Sequence, residues 1–203
     1  MEAILPDEFL RIEALVEDRS GTVLLRHLLE RYFADRAGTM IPHELYLRPH
    51  KGLGNLPQAP EFAPGRHKYG LLHLLPAKLR AYEKVLNPQD SLLLIVLDAD
   101  ENDPARLRQQ LQNLLGMTAP DHPCIIAIAI EELEAWLLGD FAAIKAAYPE
   151  ADYNRYRRYR QDAVCGTWEL LAEVILGKQA RRLIRAGYPA VGEYKHRWAE
   201  KIA

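Results

Sequence analysis

The chain has 203 residues, enough to bury a substantial core as one domain with a small appendage. Its 49% hydrophobic and 27% charged content is ordinary for a globular protein, and the longest apolar runs, SLLLIVL and CIIAIAI, fall well short of the roughly 20 residues that span a bilayer. The net charge of −2 hides an asymmetry: residues 1–150 carry 15 Lys+Arg and 22 Asp+Glu, a balance of −7, while residues 151–203 carry 11 and 6, a balance of +5.

The beginning, MEAILPDEFLRIEALVE, is acidic and has no basic segment leading to a small-residue cleavage site, so the expected compartment is the cytoplasm, with no membrane partner. The next stretches predict a strand over FLRIEALV, a turn at EDRSG and a helix over TVLLRHLLERYF. HELYLRPHKGLGNL reads as a second strand opening into a basic, glycine-containing loop. YGLLHLLPAKLRAYEKVL is helical, with Pro76 marking a kink or a boundary.

SLLLIVLDAD is continuously apolar before its aspartates, as suits a strand covered on both faces. Pro104 opens a helix whose Leu107, Leu111, Leu114 and Leu115 share one face, with Gly116 as its expected C-cap. CIIAIAI repeats the buried-strand pattern, and EELEAWLLGDFAAIKAAY follows as a helix. Beyond about residue 150 no strand is expected. The alternation predicts an α/β fold, a mostly parallel sheet with helices on both faces over residues 1–150, and a basic helical extension over 151–203 packed on it. Cys124 and Cys165 are far apart and lack metal-ligand neighbours, so both are read as incidental thiols, and Trp168, Trp198 and Leu170–Leu176 as core.

Ligands of open α/β sheets gather beyond the carboxyl ends of the strands. Acidic residues stand at three such ends: Glu17 after the first strand, Asp98 and Asp100 after the third, and Glu131, Glu132 and Glu134 after the fourth. Clustered carboxylates repel unless a shared proton or a cation neutralises them, and hard oxygen donors suit Mg²⁺ or Mn²⁺. Structural roles compete for several of these residues. Asp103 before Pro104 is a helix N-cap, Glu101 is solvated, and the glutamates after the fourth strand suit the positive end of their own helix. An EF-hand is excluded, because counting from Asp98 its sixth and twelfth positions are Asp103 and Gln109. A haloacid-dehalogenase-like phosphatase typically carries Thr or Val where this chain has Asn102.

The ordered segments ALVEDRSGTVLLRHLL, RPHKGLGNL, LLIVLDADEND, AIEELEAWLLGD, VCGTWELLAE and KHRWAEKI resemble a bacterial Toprim-like family of largely unassigned function, related to OLD-type nucleases and often encoded beside AAA-type ATPases in mobile or defence loci. The resemblance implies a Toprim-like fold, an Mg²⁺-dependent (or Mn²⁺-dependent) nuclease acting on nucleic acid, and an ATPase partner. It assigns Glu17, Asp98 and Asp100 to catalysis and to metal binding, with Glu134 of the E-A-W signature near the metal edge. Relatives commonly read V-E-G-x-[ST]-E, whereas Asp18 here replaces the glycine and Gly21 stands where a second acid is expected. That departure leaves open a noncatalytic binding or sensor subunit of an ATPase complex.

Two basic elements suit a polyanion. RPHKGLGN supplies Arg48, His50 and Lys51 beside Gly52 and Gly54, without the Lys and Ser/Thr of a Walker A motif. YNRYRRYR interleaves Tyr153, Tyr156 and Tyr159 with Arg155, Arg157, Arg158 and Arg160, a composition fitted to phosphates and bases or to an acidic protein partner, although tyrosines three apart also form a packing stripe.

Overall fold

A computed structural model describes residues 9–34, 42–58, 69–163, 166–188 and 190–203. Four strands, β1 (Leu10–Val16), β2 (His43–Pro49), β3 (Ser91–Asp98) and β4 (Cys124–Ala129), form an all-parallel sheet in the order β2-β1-β3-β4. Helices α1 (Arg19–Ala34), α2 (Leu71–Val85) and α3 (Pro104–Thr118) connect them, and α4 (Glu134–Leu138) and α5 (Phe141–Ala147) follow β4. The remainder is helical among the described residues: α6 (Tyr153–Tyr156), α7 (Thr167–Leu176), a 3-10 turn at Gly177–Gln179, α8 (Ala180–Ala186) and α9 (Ala190–Ile202). No helix among the described residues is long and apolar enough to cross a membrane.

The pleat sends alternate residues of β1 and β3 to opposite faces. Leu15, Leu93, Ile95 and Leu97 pack against α2 and α3 through Leu71, Leu75, Leu79, Leu107 and Leu111. Ile12, Ala14, Val16, Leu94 and Val96 point the other way, into a core shared with α1, α4, α5 and α7 to α9. The sheet is therefore covered on both faces, which explains the unbroken apolar run of β3. Trp198, the largest fully buried side chain, lies in the second of these cores, so the C-terminal extension completes the domain's interior.

Asp103 accepts from the backbone amides of Ala105 and Arg106 and caps α3 ahead of Pro104, as expected. Three local details differ from expectation. Helix α3 runs past Gly116 to Thr118, with Ala119 as C-cap, because a single glycine costs a helix only about 1 kcal/mol. Helix α2 is continuous through Pro76, so of the kink or boundary expected there the boundary is excluded. The helix expected over residues 131–148 is two, since Asp140 turns the chain after Gly139 and accepts from Ala143 N to cap α5.

Trp198→Ala should lower the unfolding free energy by about 3–5 kcal/mol, read from urea denaturation. An unchanged midpoint would mean that the extension is not part of the core.

Candidate functional site

The strand order reverses between β1 and β3: the chain leaves β1 toward β2 on one side and returns through β3 and β4 on the other. Loops diverge at such a switch point and leave a crevice beyond the strand ends. Glu17 directly follows β1 and Asp98 is the last residue of β3, so both stand at that crevice. The Asp98 amide donates to Glu17 Oε2 at 3.1 Å, and Asp98 Oδ1 accepts from the Leu133 amide at 3.0 Å. Glu17 thus joins two strand ends, and Asp98 fastens the turn that precedes α4. Asp100 sits on the turn after β3 with φ of +48°, where its amide donates to the Glu131 carbonyl at 3.3 Å.

The edge is electrostatically loaded. Burial, reinforced by the charges of Asp100 and Asp18, raises Glu17 to about 7. Burial, with Glu17 and Glu134 as neighbours, raises Asp98 to about 9. Burial and the charge of Glu132 raise Asp100. The compensating charge is Lys195 of α9, buried with 5% of its side chain exposed, whose Nζ lies 2.9 Å from Glu134 Oε2 and 3.6 Å from Glu132 Oε1. Burial pushes the ammonium down, yet Glu134 and Glu132 prevail and hold it above the ordinary lysine value.

Glu132 also anchors a second element. Its Oε2 accepts from Thr167 Oγ1 at 2.8 Å and from the Trp168 amide at 3.1 Å, holding the first turn of α7. Its affinity for a helix N-terminus is real, but the helix is α7 and not the one that follows it in sequence. Glu131 is buried and receives the Tyr159 hydroxyl at 3.4 Å. A cleft of about 550 Å³ opens beside these groups, lined by Asp100, Glu101, Glu131, Glu132, Trp168 and Glu169.

The expected acidic residues therefore meet at one edge, with different commitments. Glu17 and Asp98 each use one oxygen in a backbone hydrogen bond and leave the other without a hydrogen bond among the described residues, a donor set chemically suited to a hard cation. Glu134 is paired with Lys195. As the side chains stand, no three His, Cys, Asp or Glu among the described residues form a closed metal cage.

Gly21, where the resemblance calls for an acid, has no space for a side chain. A Cβ there would lie 2.7 Å from Leu133 Cδ1 and 2.8 Å from Val16 Cγ1. Asp18, in place of the expected glycine, accepts from the Gly21 amide at 2.7 Å and from the Ser20 hydroxyl, serving as the cap of α1.

The basic residues singled out from sequence divide likewise. Arg48 reaches back to Glu13, a fully buried carboxylate in β1, at 3.1 Å; Arg11 and the Tyr82 hydroxyl complete that cluster. Burial pushes Glu13 up, but Arg48 and Arg11 hold it below its usual value. Lys51 is exposed beside the Tyr69 ring, 5.4 Å from its centroid, and the Gly52 amide donates to the Glu17 carbonyl, so the glycine loop does border the acidic edge. Arg155 pairs with Asp152 and Glu173, while Arg157 and Arg158 are exposed. Tyr156 and Tyr159 pack on the core and Tyr153 on Phe141, so the tyrosine repeat is chiefly packing. Burial raises the Cys124 thiol to about 12, in keeping with an inert side chain, and Cys165 lies outside the described residues.

Lys195 is the member of this candidate site that motif reading missed. A signal existed: Val191, Lys195, Trp198 and Ile202 follow helical spacing, and all four are buried, so a cation occupies the apolar stripe of an amphipathic helix. Such a lysine needs buried acids.

Glu17 and Asp98 hold their protons more tightly folded than unfolded. The stability this confers is present in acid and is lost as pH rises through about 7 and then about 9. In metal-free buffer the urea midpoint should fall between pH 5 and pH 9, and Asp98→Asn, which keeps an acceptor for Leu133, should flatten that slope. A wild-type midpoint rising across this window would contradict the assignment. Gly21→Glu should destabilise the protein by about 1–3 kcal/mol in thermal unfolding, because the new side chain must displace Leu133 or Val16.

Comparison with curated proteins and with solved structures finds no match to either. Residues 16–194 match the model of a family described as a domain of unknown function, DUF4276. That span takes in Glu17, Asp98, Asp100, Glu132 and Glu134, and by a match over most of its length the chain belongs to the DUF4276 family.

Proposed function

We propose that the protein is a cytoplasmic, Mg²⁺-dependent nuclease of Toprim type that hydrolyses phosphodiester bonds in nucleic acid. The observation that carries this reading is the meeting of Glu17 and Asp98, 81 residues apart, at the strand switch point, where burial and neighbouring carboxylates raise both carboxyls. The sequence resemblance supplies the nuclease chemistry, the setting in mobile or defence loci and the ATPase partner; the site supplies a reason for the metal. Glu17, Asp98 and Asp100 would hold Mg²⁺ (or Mn²⁺), which neutralises charge on the phosphate oxygens.

The protein's own groups account for the proton traffic. In hydrolysis the water oxygen forms the new bond to phosphorus, the ester oxygen departs with the old bonding pair, and a proton passes from the water to the leaving oxygen. Glu17, whose second oxygen makes no hydrogen bond among the described residues, would relay this proton. Lys195, held by Glu134 and Glu132, keeps a fixed positive charge beside the carboxylates.

A second reading, a noncatalytic sensor subunit that binds nucleic acid for an ATPase, is favoured by the packing around Gly21, which leaves no room for a second acid. Incubation with plasmid and with RNA in Mg²⁺ or Mn²⁺ separates the two. Nicking that falls about 10²–10⁴-fold in Glu17→Gln and is lost in Asp98→Asn supports the nuclease. Absence of cleavage with retained nucleic-acid binding supports the sensor.

A further inference from the structure

The five cations chosen from sequence leave the nucleic-acid surface poorly defined, since Arg48 and Arg155 are spent on internal ion pairs. Another basic group is better placed. Residues 174–192, VILGKQARRLIRAGYPAVG, contain no Asp or Glu, although the chain as a whole is acidic. Their four cations, Lys178, Arg181, Arg182 and Arg185, fall at i, i+3, i+4 and i+7 across the 3-10 turn and α8. That spacing puts them on one helical face. Ala180 and Leu183 occupy the opposite face and are buried, whereas all four cations are exposed. None of the four has an ion pair or hydrogen bond among the described residues, unlike Arg155, Lys195 and Arg197.

Four unneutralised charges on one face repel one another, an arrangement that polyanion binding relieves. The face lacks the exposed aliphatic centre that a protein interface or membrane surface requires: Leu183 is buried and Ile184 packs on the core. Its one exposed large apolar side chain is Tyr188, next after the helix, able to stack on a base. The charges of Lys195, Glu134 and Asp18 all act on the Tyr188 hydroxyl, and α8 packs on α9, which carries Lys195, so the stripe runs toward the acidic edge. From Lys178 to Arg185 the helix rises about 10 Å, the reach of about three phosphates along one strand.

We infer that the Lys178, Arg181, Arg182 and Arg185 face is the phosphate-backbone tract along which nucleic acid is led to the Glu17 and Asp98 edge. The inference rests on the proposed function for the identity of the polyanion. It requires no cleavage.

Binding of a labelled duplex of about 30 base pairs, and of RNA of similar length, is measured by anisotropy across a potassium chloride series in EDTA. A variant with Lys178→Gln, Arg181→Gln, Arg182→Gln and Arg185→Gln should reduce the slope of log K against log salt by about 3 and weaken binding on the order of a hundredfold near 0.1 M salt. Arg181→Gln or Arg185→Gln alone should remove about 1 from the slope. The far-UV spectrum and thermal midpoint should stay at wild-type values, because the substituted side chains are exposed.

An unchanged slope in these variants, a loss seen instead in Arg157→Gln with Arg158→Gln, or preferential binding of anionic phosphatidylserine vesicles would overturn the inference. Wild-type protein that binds neither nucleic acid would do the same. Lost binding in the variant with no cleavage by the wild type removes the nuclease and keeps the tract; cleavage unaffected by the variant removes the tract and keeps the nuclease.

Discussion

The buried ammonium of Lys195 is the charge on which the acidic edge depends. Glu132 and Glu134 face it directly, and Asp98 and Glu17 feel it through space. Moving several carboxylates out of water onto one strand edge is costly, and a cation in the same dry environment offsets much of that cost. The lysine can be there only because α9 lies on the sheet, with Trp198 one turn further on in the core. The basic C-terminal helices and the acidic α/β body are in this sense one electrostatic unit.

That dependence explains the shape of the site. Parallel strands supply the edge, and the reversal of order between β1 and β3 supplies the crevice. The Glu17 contact to the Asp98 amide closes the gap between the two strand ends, and the Asp98 contact to Leu133 fixes the loop that carries Glu131 and Glu132. A carboxylate network so tied to backbone amides is already oriented before any ligand arrives. Around it the surface is divided in sign, with an acidic cleft beside Trp168 and a cationic face on α8.

Much of this was legible in the sequence. The unbroken apolar run at residues 92–97 announced a strand buried on both faces; the similar run at 124–130 gave a strand too, but β4 lies at the edge of the sheet with Ile125 exposed, and the acidic residues at three strand ends marked the edge where they meet. Asp103 with Pro104 gave a helix start from two adjacent residues. Long-range charge pairing was harder to read. Nothing near Arg48 or Arg155 signals that their partners are Glu13 and Glu173, so both looked available for phosphate. Lys195 left a trace, a cation on an apolar stripe, but its partners lie some sixty residues earlier. The break at Gly139 and Asp140 escaped because a capping aspartate inside a helical apolar pattern also reads as an ordinary surface residue.

The central claim is that the Glu17 and Asp98 edge is a cation site whose charge is only partly met by Lys195. A crystal structure from Mn²⁺-soaked crystals, with anomalous scattering recorded at the manganese edge, tests it most directly. The account predicts one strong anomalous peak shared by Glu17, Asp98 and Asp100, with Lys195 still paired to Glu134. A map without a peak there, in which Glu17 remains bonded to the Asp98 amide and Lys195 alone balances the carboxylates, would contradict it.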